Sequence, residues 1–139
     1  MKEFSFIIDG RPMSKKRNWI PLCGGGRPRI LLSKKYREWE KGVVDQLWVQ
    51  RMQYQASMIG PWEPIDYPVQ VTFIFYIARK GKYDLSNLYQ GIEDALVTAQ
   101  ILEDDSLIES HDGSRKHIGD EADQILVSIR PFKEVRKNA

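Results

Sequence analysis

Cysteine is almost missing from this chain, and long apolar runs are missing altogether. Cys23 is the only cysteine, so no intramolecular disulfide and no zinc site made of several cysteines can form. No stretch reaches the roughly 18 uncharged apolar residues that a membrane-spanning helix needs. The first residues combine an acidic side chain with only a short apolar run, which is not typical of a secretory signal. We therefore expect a cytoplasmic protein without a membrane anchor.

Net charge is also small, at +2, but its distribution is uneven. Residues 1–42 hold eleven Lys and Arg against four Asp and Glu, a surplus of seven positive charges. Residues 84–123 hold eleven Asp and Glu against two Lys and Arg, a surplus of nine negative charges. A segment that attracts phosphate, joined to one that can hold a cation, is what a metal-dependent nuclease requires. Ordinary solvated charge on two faces would give the same composition, so charge alone leaves both interpretations open.

The hydrophobic patterns predict a single α+β domain over residues 1–139, with two main helices packed on a small mixed β-sheet. Strands are predicted at residues 4–8, 69–77, 106–111 and 124–132. Helices are predicted from Ser33, as N-cap, to about Met52 and from about Ser86 to Ala99. The apolar face of the first consists of Tyr36, Trp39, Val43, Leu47 and Trp48. That of the second consists of Leu88, Ile92, Ala95, Leu96 and Ala99.

Residues 10–31 contain a run of basic side chains and a glycine triplet, Gly24–Gly26. The triplet lacks the flanking strand, the following helix and the Lys-Ser/Thr pair of a phosphate-binding nucleotide loop. We predict a long, flexible basic loop here, a kind of segment that is usually functional or disordered. The tail at residues 133–139 is expected to be a frayed terminus.

Carboxylates are concentrated in residues 84–105, where Asp84, Asp94, Asp104 and Asp105 are the candidate catalytic residues. Carboxylate oxygens are natural ligands of Mg²⁺ and Mn²⁺. Such an ion can activate water and neutralise charge on a phosphate. An extended run over residues 100–105 can return beside the helix and bring Asp104 and Asp105 towards Asp84, or these side chains can meet those of a second subunit.

Simpler roles are available to each of these side chains. Asp84 or Ser86 can cap the helix, and the segment that begins at Asp104 can form a turn. Glu93 and Asp94 can belong to a solvated helix face. Asn87, Gln90 and Asp94 share a polar face in any case, because each helix position turns by about 100°.

Three segments carry a resemblance to a known family: KYDLSNL at 82–88, DAL at 94–96 and ILEDDSLI at 101–108. Together they resemble the RusA family of Holliday junction resolvases. The GRP triplet at 10–12, the basic loop and SKKYREW at 33–39 are also similar to family members. The similarity covers about residues 4–130.

The resemblance implies a homodimer, typically encoded by phage or prophage, that nicks paired strands at four-way DNA junctions in recombination and repair. It implies Mg²⁺ as cofactor, with Mn²⁺ as an alternative, held by Asp84, Asp104 and Asp105. Asp84 matches the first family aspartate and Asp105 the essential late one, while Asp94 and Asn87 match an acidic position and the helix-start asparagine.

Two positions depart from the family pattern. Ser86 stands where a second aspartate usually lies, and Gln90 stands where a lysine usually lies. A hydroxyl is a far weaker Mg²⁺ ligand than a carboxylate, and glutamine cannot offer a phosphate positive charge. The resemblance therefore implies either a divergent active site or a fold that binds junctions and cleaves them poorly.

Basic side chains near the amino end are the candidates for contacts with DNA phosphates, which position DNA without reading its sequence. The predicted set is Lys15, Lys16, Arg17, Arg27, Arg29, Lys34, Lys35 and Arg37. His111 and His117 are the only histidines. We expect both to be exposed polar residues, and the alternative is that one of them is a general base.

Three functions remain open at this point. The first is a metal-dependent junction endonuclease, and the second is a weak or inactive DNA-binding protein on the same fold. The third is a dimeric protein–protein adaptor, in which the acidic helix and the basic loop pair with one another.

Overall fold

Seven strands and two α-helices lie within the described part of the chain, and the larger sheet carries the core. The computed structural model describes residues 2–15, 18–22 and 29–133. The strands are β1 (Phe4–Asp9), β2 (Trp19–Leu22), β3 (Arg29–Leu32), β4 (Val69–Ile77), β5 (Ile108–Ser110), β6 (Arg115–Ile118) and β7 (Gln124–Pro131). The helices are α1 (Lys34–Ala56) and α2 (Leu85–Thr98).

The larger sheet is mixed and has the order β1-β7-β4-β5, with β6 also pairing with β4. β7 runs antiparallel to both β1 and β4, whereas β5 and β6 run parallel to β4. A parallel pair needs a crossover connection, and α2 supplies it between β4 and β5. The predicted α+β class, with two helices on a small mixed sheet, is confirmed.

The alternating sequence of β4 creates one buried face of the sheet. Val69, Val71, Phe73, Phe75 and Ile77 are fully buried, and the residues between them are half-buried. Successive strand residues point to opposite faces, so this pattern means that the helices cover one face more completely than the other. The predicted bounds of this strand, 69–77, are confirmed.

Side chains of α1 cover the free edge of β1. Each of three helix side chains both accepts from and donates to the backbone of one strand residue, at 2.7–3.1 Å. The pairs are Tyr54 with Ser5, Gln50 with Ile7, and Gln46 with Asp9. Four helix residues rise about 6 Å, close to the roughly 6.6 Å of two strand residues. The two spacings match, so the strand edge that would otherwise invite another chain is occupied.

The second helix follows its prediction closely. All five residues of its predicted apolar stripe are buried. Gly91 lets the Trp39 ring and the Tyr36 hydroxyl on α1 approach its backbone, because a Cβ there would meet both at 3.0 Å. Ser33 is the N-cap of α1 and accepts from the Tyr36 amide, as predicted.

One predicted core residue of α1 is misplaced. Trp48 is 40% exposed, and Arg51 is buried instead. The buried positions 36, 43, 47 and 51 follow helix periodicity, whereas position 48 is turned about 100° away from position 47. The Arg51 guanidinium lies 4.3 Å from the centre of the Trp48 ring and 5.4 Å from that of Trp62, so aromatic faces stabilise its charge.

Three further segments differ from their predictions. The predicted loop at 10–31 contains the β2–β3 hairpin. The predicted strand at 106–111 is shorter, because Asp105–Leu107 forms a 3-10 turn before β5. β6 has no hydrophobic period to predict it, since all four of its residues are exposed. Within the described residues, neither helix is both long enough and apolar enough to cross a membrane.

Candidate functional site

The candidate carboxylates lie along α2 and just beyond it. Asp84 is the N-cap of the helix, and its Oδ1 accepts hydrogen bonds from the Ser86 amide at 3.2 Å and from the Ser86 hydroxyl at 2.8 Å. The capping role considered for Asp84 is therefore real. Its carboxylate is nevertheless exposed, so a cap and a ligand role are compatible.

A cavity of about 110 Å³ lies beside Asp84 at the start of α2. Asp84 and Asn87 line it from the helix, and Ser14 and Asn18 line it from the basic-rich residues 10–31, called the basic segment below. Asn18 holds that segment to the start of α1, because its backbone carbonyl accepts from the Ser33 amide at 2.7 Å. The amino end of α2 thus faces the basic segment across a small cavity.

A second, wider cleft of about 330 Å³ lies towards the end of α2. Three of the four candidate catalytic aspartates line it, namely Asp94, Asp104 and Asp105. Lys15 lines the same cleft, and its Nζ lies 2.9 Å from Oδ2 of Asp94. Acidic side chains and the basic segment therefore meet inside one protomer.

The local folding of residues 104–108 explains how the two consecutive aspartates are presented. Asp104 precedes the 3-10 turn, and its Oδ2 accepts from the Ser106 hydroxyl at 2.5 Å. That hydrogen bond, with further ones from Asp105 and the Ser106 backbone, lowers the pKa of Asp104. The turn considered for this segment is present, and it holds an ionised carboxylate at the mouth of the cleft.

Asp84 and the late aspartates line different cavities. Ten helix residues from Asp84 to Asp94 correspond to about 15 Å along the axis. Among the described residues, no three His, Cys, Asp or Glu side chains are grouped to hold a metal ion. The candidate aspartates nevertheless offer only oxygen atoms as ligands, which fits a hard cation such as Mg²⁺. The prediction that Asp84, Asp104 and Asp105 share one ion stays a prediction.

Glu93 and His111 form a pair that the sequence did not single out. Nε2 of His111 lies 2.6 Å from Oε1 of Glu93. The pKa of Glu93 is raised overall, chiefly by burial. The hydrogen bond and charge of His111 lower it, and the charges of Asp105 and Asp94 raise it. The expectation that His111 is an exposed polar residue is therefore wrong, whereas His117 is exposed as expected. The two residues are 18 positions apart, so no local pattern connects them.

The predicted phosphate contacts fall into four groups. Lys34, Lys35 and Arg37 are exposed in the first turn of α1, and Lys15 lies in the acidic cleft. Arg29 belongs to β3. Lys16, Arg17 and Arg27 lie outside the described residues.

The supporting positions that depart from the family pattern lie on the solvent side of α2. Ser86 and Gln90 are exposed, and Asn87 is half-buried. Asn87, which matches the family pattern, lines the first cavity, whereas Gln90 is exposed to solvent.

Comparison with known families agrees with this arrangement. The profile of the endodeoxyribonuclease RusA family matches residues 9–130. The chain belongs to the RusA family. The match spans both helices, the cleft and the central strands β4 and β7, and it confirms the resemblance to the RusA family. Among individually curated proteins, none matches the chain. RusA endodeoxyribonucleases act on branched DNA, so the chain belongs to a family of junction-cleaving nucleases.

Proposed function

We propose that this chain is a metal-dependent endodeoxyribonuclease that resolves four-way DNA junctions by paired nicking. The observation that carries the proposal is the cleft in which Asp94, Asp104 and Asp105 lie beside Lys15 of the basic segment. Carboxylates of the type that hold a cation and a lysine of the type that binds phosphate are adjacent there, which supports cleavage of a phosphodiester as the function. RusA family membership supports the same conclusion.

Asp104 and Asp105 are proposed to hold Mg²⁺, with Mn²⁺ as an alternative, and Asp84 is proposed to complete the site. The ion would supply a water of lowered pKa and neutralise charge on the phosphate. Asp94 and Lys15 neutralise one another in the free protein. We infer that an incoming phosphate competes with Asp94 for Lys15, which couples DNA binding to release of an acidic side chain.

Exposed cations at the start of α1 are further candidates for contacts with DNA. Lys34, Lys35 and Arg37 are proposed to contact the DNA backbone together with Lys16, Arg17, Arg27 and Arg29. Contacts of this kind release counterions from DNA, so affinity falls steeply as salt rises. We propose a homodimer, because paired nicking needs two sites, and a cytoplasmic protein of phage or prophage origin.

The decisive experiment is cleavage of a synthetic four-way junction with and without added Mg²⁺ or Mn²⁺. We expect symmetric nicks that need metal and disappear with a chelator. Asp84→Asn and Asp105→Asn should each lower the rate by about 10²-fold or more, since losing a group that stabilises transition-state charge commonly costs that much. Both variants should still bind the junction.

Asp45→Asn is the matched control, because Asp45 is an exposed aspartate of α1 away from both cavities. It should cleave at the wild-type rate. Nicking that persists in Asp84→Asn or Asp105→Asn would show that the wrong carboxylates have been chosen. Wild-type protein that binds junctions but nicks none with either metal would support a DNA-binding protein of the same fold.

That second candidate is favoured by one specific observation. The Ser86 hydroxyl donates to Asp84 instead of adding a carboxylate to the site, and Gln90 adds no charge. A protein with these residues retains a basic surface for DNA while holding a metal ion weakly.

The adaptor alternative is tested by salt. The Lys15–Asp94 pair is an acid–base contact within one chain, whereas an adaptor would use such contacts between subunits. Gel shifts with four-way, duplex and single-stranded DNA at two salt concentrations separate the two cases. Affinity that ignores salt and prefers no DNA form would favour the adaptor over both nucleic-acid functions.

A further inference from the structure

His111 is half-buried, and its contacts define its position closely. Its Nε2 lies 2.6 Å from the Glu93 carboxylate, and the two side chains are 32% and 17% exposed. The ring stacks on Tyr89 with centroids 4.4 Å apart and planes 3° from parallel, and Phe73 lies 5.9 Å from it. One ring face and one ring nitrogen are thus occupied, which leaves the Nδ1 edge for another partner.

The turn that carries His111 is also anchored to the central strand. Thr72 donates its hydroxyl to the Asp112 carbonyl at 2.9 Å, and the Phe73 amide donates to the Ser114 hydroxyl at 2.9 Å. The Ser114 amide in turn donates to the His111 carbonyl at 3.0 Å. Backbone and ring are therefore both held, as expected for a group that must meet a reacting atom in a defined geometry.

The pair is connected to the acidic cleft through its neighbours in the chain, because Glu93 directly precedes Asp94, and His111 directly follows β5, which begins just after the turn that carries Asp105. The charge of Asp105 acts on Glu93, as does that of Asp94. The titratable groups that face the pair are thus Tyr89 and Asp94 from α2 and Asp105 from the turn before β5. The other histidine, His117, lies on the exposed strand β6. Its Nε2 accepts from Nε of Arg115 at 3.2 Å, and its ring stacks on that of Tyr76 in β4.

We propose that His111, oriented by Glu93, accepts the proton of the attacking water during phosphodiester cleavage. With Glu93 ionised, Nε2–H donates to the carboxylate and Nδ1 carries the free lone pair. The water oxygen forms a bond to phosphorus as its proton passes to Nδ1. The bridging P–O bond breaks, and the leaving oxygen keeps the electron pair and takes a proton from solvent.

This inference rests on the proposed function and deepens it. His111 is then a catalytic residue, and Glu93 is a positioning residue that fixes the ring and stabilises the imidazolium. Neither was needed to recognise the family. A pair that served only packing would affect the free energy of unfolding and leave the pH dependence of cleavage unchanged.

The test is single-turnover cleavage of a four-way junction with saturating enzyme and Mg²⁺, over the pH range in which histidine titrates. The variants are His111→Gln and Glu93→Gln, and His117→Gln is the matched control. Junction binding without metal and a thermal melt are measured for each. We expect wild-type rates to fall as pH drops, because protonated His111 cannot accept a proton.

His111→Gln should cleave about 10²-fold more slowly, since general bases commonly contribute that much or more, and it should lose this pH dependence. Glu93→Gln should move the dependence to lower pH, because the imidazolium loses a neighbouring negative charge. His117→Gln should match the wild type, and all variants should bind the junction.

His111→Gln with an unchanged pH profile and a rate within about threefold of wild type would overturn the inference and leave the proposed function intact. If His111→Gln does not fold, Glu93→Gln decides, since an unchanged profile there also overturns it. A wild-type protein that cleaves no junction overturns both the inference and the proposed function.

Discussion

Two side chains at the amino end of α2 set the proposed site apart from the RusA family pattern that the sequence resembles. Ser86 donates its hydroxyl to the Asp84 carboxylate, so it orients that group without adding a second one. Gln90 is exposed and uncharged. Relative to the pattern that the family resemblance implies, the chain lacks one carboxylate and one positive charge. We therefore expect the rate of cleavage to increase when the two family residues are restored.

Restoring that pattern in Ser86→Asp with Gln90→Lys should raise the rate of junction cleavage about tenfold or more, equivalent to roughly 1.4 kcal/mol of barrier. The reason is that a carboxylate strengthens metal binding and a lysine offers charge to the phosphate. Single-turnover rates at matched pH measure the effect.

Gln53→Lys is the control for added charge, because Gln53 is exposed on α1. It should change affinity slightly and leave the rate at saturating enzyme unchanged. An unaltered rate in the double variant would mean that the remaining carboxylates already form a complete site.

At the scale of elements, the main contact is the pairing of α1 with the edge of β1. Tyr54, Gln50 and Gln46 repeat every four residues along the helix and meet every second residue of the strand. The helix thereby takes the place of a neighbouring strand. Removing one of these side chains would leave the amide and the carbonyl of one β1 residue without their partners, and water would have to replace them.

Gln50→Ala should lower the free energy of unfolding by about 1–2 kcal/mol, since it deprives the Ile7 amide and carbonyl of their partners at 2.8 and 2.7 Å. Urea unfolding monitored by circular dichroism measures it. Gln53→Ala on the same helix should stay within about 0.5 kcal/mol. Equal losses in the two variants would show that helix propensity, not the strand contact, is responsible.

At the scale of the whole molecule, the two cavities on α2 raise the question of how one site is assembled. Asp84 lines one cavity and Asp105 the other. The proposed homodimer offers two solutions: each site uses carboxylates of one chain, or Asp84 of one protomer meets Asp105 of its partner. Both solutions agree with one fold and one family.

Mixing Asp84→Asn with Asp105→Asn protein distinguishes them. If each site combines both protomers, half of the sites in a mixed dimer contain two intact aspartates, and nicking of one strand returns. If each site belongs to one chain, every site keeps one defect and the mixture stays inactive. Nicking of labelled junction strands after subunit exchange measures the outcome, and each homodimer alone is the control.

Much of this molecule was predictable because its strongest signals are local. Apolar residues recur with a period of two in residues 69–77 and with a period near 3.6 in α2, and both periods predict which side chains are buried. Ser33, as the N-cap, predicts the start of α1. The weaker cases failed for a physical reason. Trp48 looks apolar enough for the core, but one helix position rotates it into solvent, and Arg51 takes the buried place between two rings.

Sequence by itself determined the class of the fold, the two helices, the central strand and the family, because each depends on periodicity or on motif residues close together in the chain. Only the tertiary structure decided which distant groups meet. It brought Lys15 to Asp94 and His111 to Glu93, and it placed Asp84 and Asp105 in separate cavities. Such meetings depend on how α2 packs against β4 and the basic segment, and no spacing along the chain encodes that packing.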